Sequence, residues 1–463
     1  MSESGILNHL PLSFKGDLTT PSHPEYAKAI ARWAVNAARN AKIVAFVKDN
    51  EDVAYALKLA RDNRMPIAVR GGGHHAFGAS SVEGGLVIDL SRYLNGVRVD
   101  AAEKRAYVGG GQVWGPVYKE SIKHGLTPVG GPISHTGIGG FLLGGGYGWL
   151  TSAYGLAADN LVQATIVTAD GSILTVNDTE HPDLYFAIRG GGGNFGVVTE
   201  FVLQLHPQRS TVYSGTITYP GVATEKIIES TNKWLETESR KESAVLLTTV
   251  DADGKEIVLI LPFYNGTEAE GRERFKDLLA AGPVTDASKE ISFEQLSTLQ
   301  DSLGGTASSN GIFMKGAAFK RLHEPSVVKA HQRLAEIVKG GIYTGVIIYE
   351  LHGLKKINSI PPETTAFRRV ASHNIVVQLG WDPKEDHTVE VKKLVEELSV
   401  IVSVGQEGLT DSERLGYANY DPDSVSNEKS KLVFGENYAR LQVIKKRYDP
   451  DNVFNKWFPI TPA

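Results

Sequence analysis

The sequence predicts an α+β fold of two domains, and three observations predict it. At 463 residues the chain is too long for one simple core. Residues 42–205 alternate short β-branched runs with glycine loops and a few helices. From about residue 206 to 415 the strands lengthen and alternate or become wholly apolar, with helical spacing between them, as in an antiparallel sheet covered by helices. The boundaries that follow are 1–205 for the first domain, 206–415 for the second, and 416–463 for a C-terminal return to the first.

Each element has its own signal. "KIVAFVK" (42–48) reads as a strand, and "NEDVAYALKLARDN" (50–63) as a helix with Asn50 as its cap and Val53, Leu57 and Ala60 on one face. "MPIAVR" (65–70) is the next strand, so a strand–helix–strand unit ends on Gly71, Gly72 and Gly73. "GLVIDLS", "VRVDAAEKRAYVGGG" and "ATIVTADGSILTV" add strands, the last turning at Asp170-Gly171. In the second domain "TVYSGTITYP", "AVLLTTVDADGKEIVLILPFY" and "YTGVIIYELHG" are strands. Between them "TEKIIESTNKWLETES" and "EAEGRERFKDLLAAG" have helical spacing, leaving one sheet face free to cover a site. The tail carries the helix "EKSKLVFGENYARLQVIKKRY", then "DPDNVFN".

Composition narrows the function. Hydrophobic residues at 41% and charged residues at 22% are ordinary for a globular chain. A net charge of −5 with no basic block argues against nucleic acid and anionic membranes as partners. With no cysteine, disulfides, thiolate nucleophiles and Cys-ligated metals are excluded, and no motif calls for a metal. "MSESGILNHLPLSFKGD" lacks a basic start and apolar run, and no stretch nears the roughly 20 apolar residues of a membrane span. The expectation is an intracellular, cytoplasmic protein.

Glycine is over-represented at 49 residues, and many crowd between Arg70 and Gly196. Glycine loops after strands cradle phosphates because backbone N–H groups can reach the anion unobstructed. Three clusters qualify: 71–73, "GIGGFLLGGGYG" (137–148) and "RGGGGNFG" (189–196). A dinucleotide fingerprint fails where Leu142 replaces its third glycine, and the Walker lysine is absent. One such cluster would read as a turn. Three, together with "AADN" (157–160), favour an extended, phosphate-bearing ligand.

The stretches "VRGGGHHAFGAS", "GGLVIDLS", "VGGPISHTGIGGFLLGGGYG", "YGLAADNLVQATIVTADG", "DLYFAIRGGGGNFGVVT", "YANYDPD" and "YDPDNVFN" carry a resemblance. Residues 43–207 resemble the FAD-binding domain of the vanillyl-alcohol oxidase superfamily. Within it they are most similar to berberine bridge enzyme-like and 6-hydroxy-D-nicotine oxidase-like flavoprotein oxidases. The resemblance implies a two-domain, PCMH-type FAD-binding fold, in which 1–205 binds FAD and 206–415 binds substrate. It also implies that His74 joins the 8-methyl carbon of the flavin covalently, a role suited to a neutral, nucleophilic imidazole. A second, cysteinyl bond found in many relatives falls on Ile133, so a single linkage is expected and a carbohydrate substrate becomes less favoured. Thr136 takes the position that governs oxygen access, and its small size leans towards an oxidase.

The same resemblance places Gly71, Gly72, Gly73, His75, Gly78, Gly137, Gly139, Gly140, Gly145, Asn160 and Val197 against the cofactor. His75 is a neighbour of the tether or a pyrophosphate contact. Asn194 and Phe195 belong to the adenine-side loop. Arg70, Arg189 and Asp159 suit phosphate or ring contacts, although a buried ion pair is the more ordinary role of the two arginines. Tyr147 and Tyr417 match tyrosines that line the active site and are the candidate catalytic residues, Asn419 is a candidate cofactor contact, and Gln378, Glu350 and His352 are candidate substrate contacts. Tyr417 and Asn419 fall on a strand, with Tyr420 on its opposite, core-facing side. The position of the family's catalytic glutamate falls on Val376 or Gln378, neither of which is a base. Glu350 and His352, on one strand face, or His135 could substitute; for the first two, a surface role is the ordinary alternative. The expected reaction is oxidation of an alcohol or amine in a small or medium organic substrate, by hydride transfer to flavin N5, with O2 reduced to H2O2. The alternatives are a biosynthetic desaturase, cyclase or isomerase, a dehydrogenase, or a flavin binder without turnover.

Overall fold

A computed structural model describes residues 13–237, 239–301, 310–422 and 424–463. Residues 1–12, which carry most of the leader reading, lie outside the described residues. No described helix is long and apolar enough to cross a membrane.

The first sheet takes β1 (Asp17–Thr19), β2 (Ile43–Phe46), β3 (Ile67–Arg70) and β4 (Leu86–Asp89) in the order β1-β2-β4-β3. The last three run parallel, and β2 and β4 are buried throughout, which is why they read as continuous apolar runs. Helix Asn50–Asp62 crosses from β2 to β3. Its cap is Asp49 rather than Asn50: Asp49 is extended and accepts from the Asp52 N–H at 2.9 Å. The Asn50 side chain instead accepts from Thr199 Oγ1 at 2.6 Å.

The second sheet uses β5 (Val97–Asp100), β6 (Arg105–Gly109), β8 (Leu161–Val167), β9 (Ile173–Val176) and β10 (Val197–Gln204), with β7 (Leu126–Thr127) and β11 (His206–Pro207) paired apart from it. Its order is β5-β6-β10-β8-β9, all antiparallel. The second glycine cluster is partly helical, at Ile138–Leu143. It meets the first cluster backbone to backbone, since a Cβ on Gly72 would stand 2.5 Å from Gly137 Cα.

The third sheet comprises β12 (Thr211–Ser214), β13 (Ile217–Pro220), β14 (Glu242–Val250), β15 (Glu256–Tyr264), β16 (Thr285–Asp286), β17 (Lys289–Ser292), β18 (Gly311–Phe319), β19 (Tyr343–His352) and β20 (His373–Trp381). Its spine runs β16-β13-β15-β14-β19-β20-β18, entirely antiparallel. Alternation sorts the side chains. Ile347, Ile375, Val377 and Leu379 pack under helices Thr224–Leu235, Glu324–Val338 and Thr388–Val402. Their neighbours Met314, Ile348 and Val376 turn to Trp33 and Ala76 of the first domain.

Two of the predicted helices are broken. "EAEGRERFKDLLAAG" forms Glu268–Arg274 and Lys276–Leu279, and the tail forms Asn427–Phe434 and Tyr438–Tyr448, interrupted where Gly435 takes a φ of +51°. The fully buried Lys445 then ties the tail down. Its Nζ donates to Asn194 O (2.7 Å), Asp449 Oδ2 (2.6 Å) and Phe454 O (2.6 Å), fastening the chain end to the third glycine loop.

Candidate active site

A cavity of about 310 Å³ lies between the glycine loops and the free face of the third sheet. On the loop side β3 ends in Gly71, Gly72 and Gly73, and the chain then presents two histidines. The His74 ring stacks on Trp33 with centroids 4.2 Å apart, and its Nε2 sits 3.1 Å from His135 Nδ1 and 3.5 Å from Thr136 Oγ1. Burial first, then the His135 imidazole, pushes His74 down to about 3, so it is neutral at physiological pH. His75 is pushed down to about 4 by burial. Its Nδ1 accepts from the N–H groups of Phe77 (3.3 Å) and Ala79 (3.2 Å), so the proton belongs on Nε2. That Nε2 is buried without a partner among the described residues.

The sheet side is apolar, with Met314, Ile348 and Val376, apart from Gln378 and a carboxylate. Glu350 is buried on the cavity wall. Its Oε1 accepts from Tyr420 OH at 2.8 Å and its Oε2 from Asn374 Nδ2 at 3.0 Å. Burial raises its pKa, against the lowering effect of those two hydrogen bonds. Tyr417 closes one end. Its oxygen accepts from the Gly146 N–H (3.0 Å) and from Asn419 Nδ2 (2.6 Å), while burial pushes its ionisation far up. A phenol in that state stays protonated: it can donate a hydrogen bond and does not act as a base.

Two family profiles match this chain, one described as "FAD binding domain" over residues 41–177 and one as "Berberine and berberine like" over residues 416–460. The FAD-linked oxidoreductase pgmH of Aspergillus terreus is 31% identical over 455 residues, covering 96% of this chain and 92% of that protein. The chain belongs to the berberine bridge enzyme-like flavoproteins of the PCMH-type FAD-binding superfamily. It is an FAD-linked oxidoreductase. The (R)-6-hydroxynicotine oxidase of Paenarthrobacter nicotinovorans is 27% identical, with 98% of both chains covered. The crystal structure of 6-hydroxy-D-nicotine oxidase from Arthrobacter nicotinovorans superposes with a TM-score of 0.87 at 26% identity, covering 98% of this chain and 100% of that one. A chitooligosaccharide oxidase, at 19% identity and a TM-score of 0.84, shares the fold.

The cavity of this berberine bridge enzyme-like protein fits FAD. Gly71, Gly72, Gly73, Gly137, Gly139, Gly140, Gly192, Gly193 and Gly196 all line it. A Cβ on Gly140 or Gly193 would meet no protein atom within 4 Å, so the lining is open backbone. The orphaned His75 Nε2–H is a donor at the same wall, and Lys456 of the tail adds a cation.

His74, His75, Thr136, Glu350, Gln378, Tyr417 and Asn419 therefore share one cavity. Other expected members stand elsewhere. Tyr147 follows Gly145 and Gly146, whose φ values of +110° and +84° turn the chain away. Its ring packs behind Tyr417, at 5.1 Å, and against His352, at 5.8 Å. Neither Tyr147 nor His352 lines the cavity; β19 has run past it by His352. Gly145 packs on Phe367, and Gly78 lies under Ala37 O and the Arg39 guanidinium. Arg70 pairs with Asp89 at 3.1 Å, the structural role the sequence left open. Asp159 is held by Arg369, and Asn160 by Tyr154, Leu156 and His206, both lining a separate hollow. Val197 is core, between the cavity-lining Gly196 and Val198.

Tyr420 corrects the strand reading of the tail. Ala418–Tyr420 is a 3-10 turn rather than a strand, so Tyr417, Asn419 and Tyr420 all reach the cavity and Tyr420 holds Glu350. Trp33, Met314, Ile348 and Lys456 line it without any motif that could have marked them, and Asn374 adds the second hydrogen bond to Glu350.

Proposed function

We propose that this flavoprotein is an oxidase of an alcohol or amine carbon in a small or medium organic molecule, with FAD tethered through His74 and Glu350 as the base. The observation that carries the proposal is Glu350, a buried carboxylate with a raised pKa, held by Tyr420 and Asn374 on an otherwise mostly apolar wall opposite His74. When bound, FAD supplies the two-electron acceptor, taking a hydride at N5 and passing the electron pair to O2 to give H2O2.

The protein's own groups do the rest. Glu350 takes the hydroxyl or ammonium proton of the substrate. Met314, Ile348 and Val376 exclude water from around it, and Gln378 and the Tyr417 proton offer orienting hydrogen bonds. The glucooligosaccharide oxidase of Acremonium strictum, 21% identical, carries 6-S-cysteinyl, 8α-N1-histidyl FAD. With Ile133 at the cysteine position and no cysteine in the chain, only a histidyl bond is open here. Thr136 beside His74 leaves room for O2. On this reading residues 1–205 and 416–463 hold the cofactor, and 206–415 the substrate.

Glu350→Gln tests the proposal. It keeps the shape and the Asn374 and Tyr420 neighbours but removes the base. A screen of amines and alcohols with peroxide detection should show kcat/KM lowered by about 10²–10⁴-fold, with flavin content unchanged. An unaltered kcat/KM would discard Glu350 as the base. Flavin bleached anaerobically by substrate but not reoxidised by O2 would make the enzyme a dehydrogenase.

A further inference from the structure

Apart from the flavin cavity, a second hollow is lined by Tyr154, Asp159, Asn160, Arg189, His206 and Lys356. Its one carboxylate is already neutralised. Asp159 accepts from Arg369 through both oxygens and from the Leu156 N–H at 2.8 Å. Two cations are left over. Arg189 gives Nε to Tyr185 O (3.4 Å) and Nη2 to Thr364 O, and its guanidinium lies 4.0 Å over the Tyr185 ring. Its Nη1 makes no hydrogen bond among the described residues, although Asp159 and, more weakly, Asp178 lie within electrostatic reach. The Lys356 ammonium makes neither a hydrogen bond nor an ion pair among the described residues.

The third polar wall is His206, and its proton can be placed. Asn160 Nδ2 donates to Tyr154 O (3.1 Å) and Leu156 O (2.8 Å), so Asn160 Oδ1, 2.7 Å from His206 Nε2, must accept. Nε2 thus carries the hydrogen and Nδ1 is bare. The ring is clamped on Tyr154, 3.7 Å between centroids and 11° from parallel. Burial first, then the charges of Lys104 and Lys356, hold this imidazole down.

We propose that this hollow is a binding site for a small oxyanion, a phosphate or a carboxylate group, received by Arg189 Nη1 and Lys356 against the His206–Tyr154 wall. A guanidinium edge beside an ammonium suits such a group, because the first fixes orientation and the second supplies charge. The site is independent of the flavin reading, since none of its residues lines the flavin cavity.

The test uses the flavin-loaded protein carrying 13C-labelled histidine. Inorganic phosphate and, separately, acetate are titrated at an ionic strength held constant with chloride, and calorimetry on the same salts gives a second readout. The His206 resonance, identified by its loss in His206→Gln, is expected to move saturably with at least one anion. Saturation with phosphate alone assigns a phosphate-bearing ligand, and saturation with acetate alone or as well assigns a carboxylate. Lys356→Ala, a partly exposed position, should bind about tenfold more weakly or worse, as loss of a charged hydrogen bond implies. No saturable response by either method, an equal response to chloride, or unchanged affinity in Lys356→Ala would overturn the site.

Discussion

Burial moves Glu350, the proposed base, upward from the ordinary carboxylate range. Ordinary glutamates ionise near 4.3, too low for efficient proton abstraction from an alcohol or ammonium. Burial raises Glu350, and Tyr420 and Asn374 limit the rise. The acid limb of kcat/KM should therefore lie above the ordinary carboxylate range, with activity gained as the pH rises through it. Tyr420→Phe removes a donor that favours the ionised form, worth roughly 1.5–3 kcal/mol, so the limb should move up by about one pH unit or somewhat more. A kcat/KM profile against pH checks this, and a limb that stays in place would detach Tyr420 from Glu350. The glutamate was visible in "YELHG" as a weak candidate. Tyr420 was misplaced because strand alternation was applied to a 3-10 turn.

At the level of elements, the strand before the histidine loop was legible from its apolar run, and the loop itself only from the motif it shares with the flavoprotein family. The backbone contact of Gly72 with Gly137 accounts for two of the clusters at once. What stayed illegible were side chains whose place depends on distant partners. One such pair is His352 at the end of β19 and His373 at the start of β20. Burial holds them down to about 3 and about 4, and His373 adds to the effect on His352. Both values lie below that of the unfolded chain, about 6.5, so the unfolded state takes up protons first as the pH falls. Stability is therefore full above that value and is lost progressively from about pH 6.5 towards about 4 for His373 and about 3 for His352. Each imidazole contributes up to about 1.4 kcal/mol per pH unit. Denaturant unfolding at pH 7, 6 and 5 should show the decline, and His373→Gln should flatten it by about one such increment. Lys445 belongs to the same scale. Its removal in Lys445→Met leaves Asp449 buried and unpaired, which should cost about 3–5 kcal/mol in the same measurement.

For the whole molecule, the cofactor cavity is built from parts that lie far apart in the chain. Gly71–His75, the second and third glycine clusters, β19, β20 and the tail at 454–457 all contribute walls. A ligand bound by so many segments stabilises the native state alone, and its effect depends on whether it can leave. When the ligand is free, the gain is RT ln(1 + [L]/Kd), about 2.7 kcal/mol at a hundredfold excess over Kd. When it is tethered, no such dependence remains, because every folded chain already carries its ligand. If His74 bears the tether, the wild-type unfolding midpoint should not change with added FAD, and acid precipitation should give a yellow pellet. His74→Ala should give a white pellet and a midpoint that climbs with FAD concentration. A wild-type midpoint that also climbs would mean that FAD is held by the glycine backbone, His75 and Lys456 without a bond, and that His74 serves the site only through Trp33 and His135.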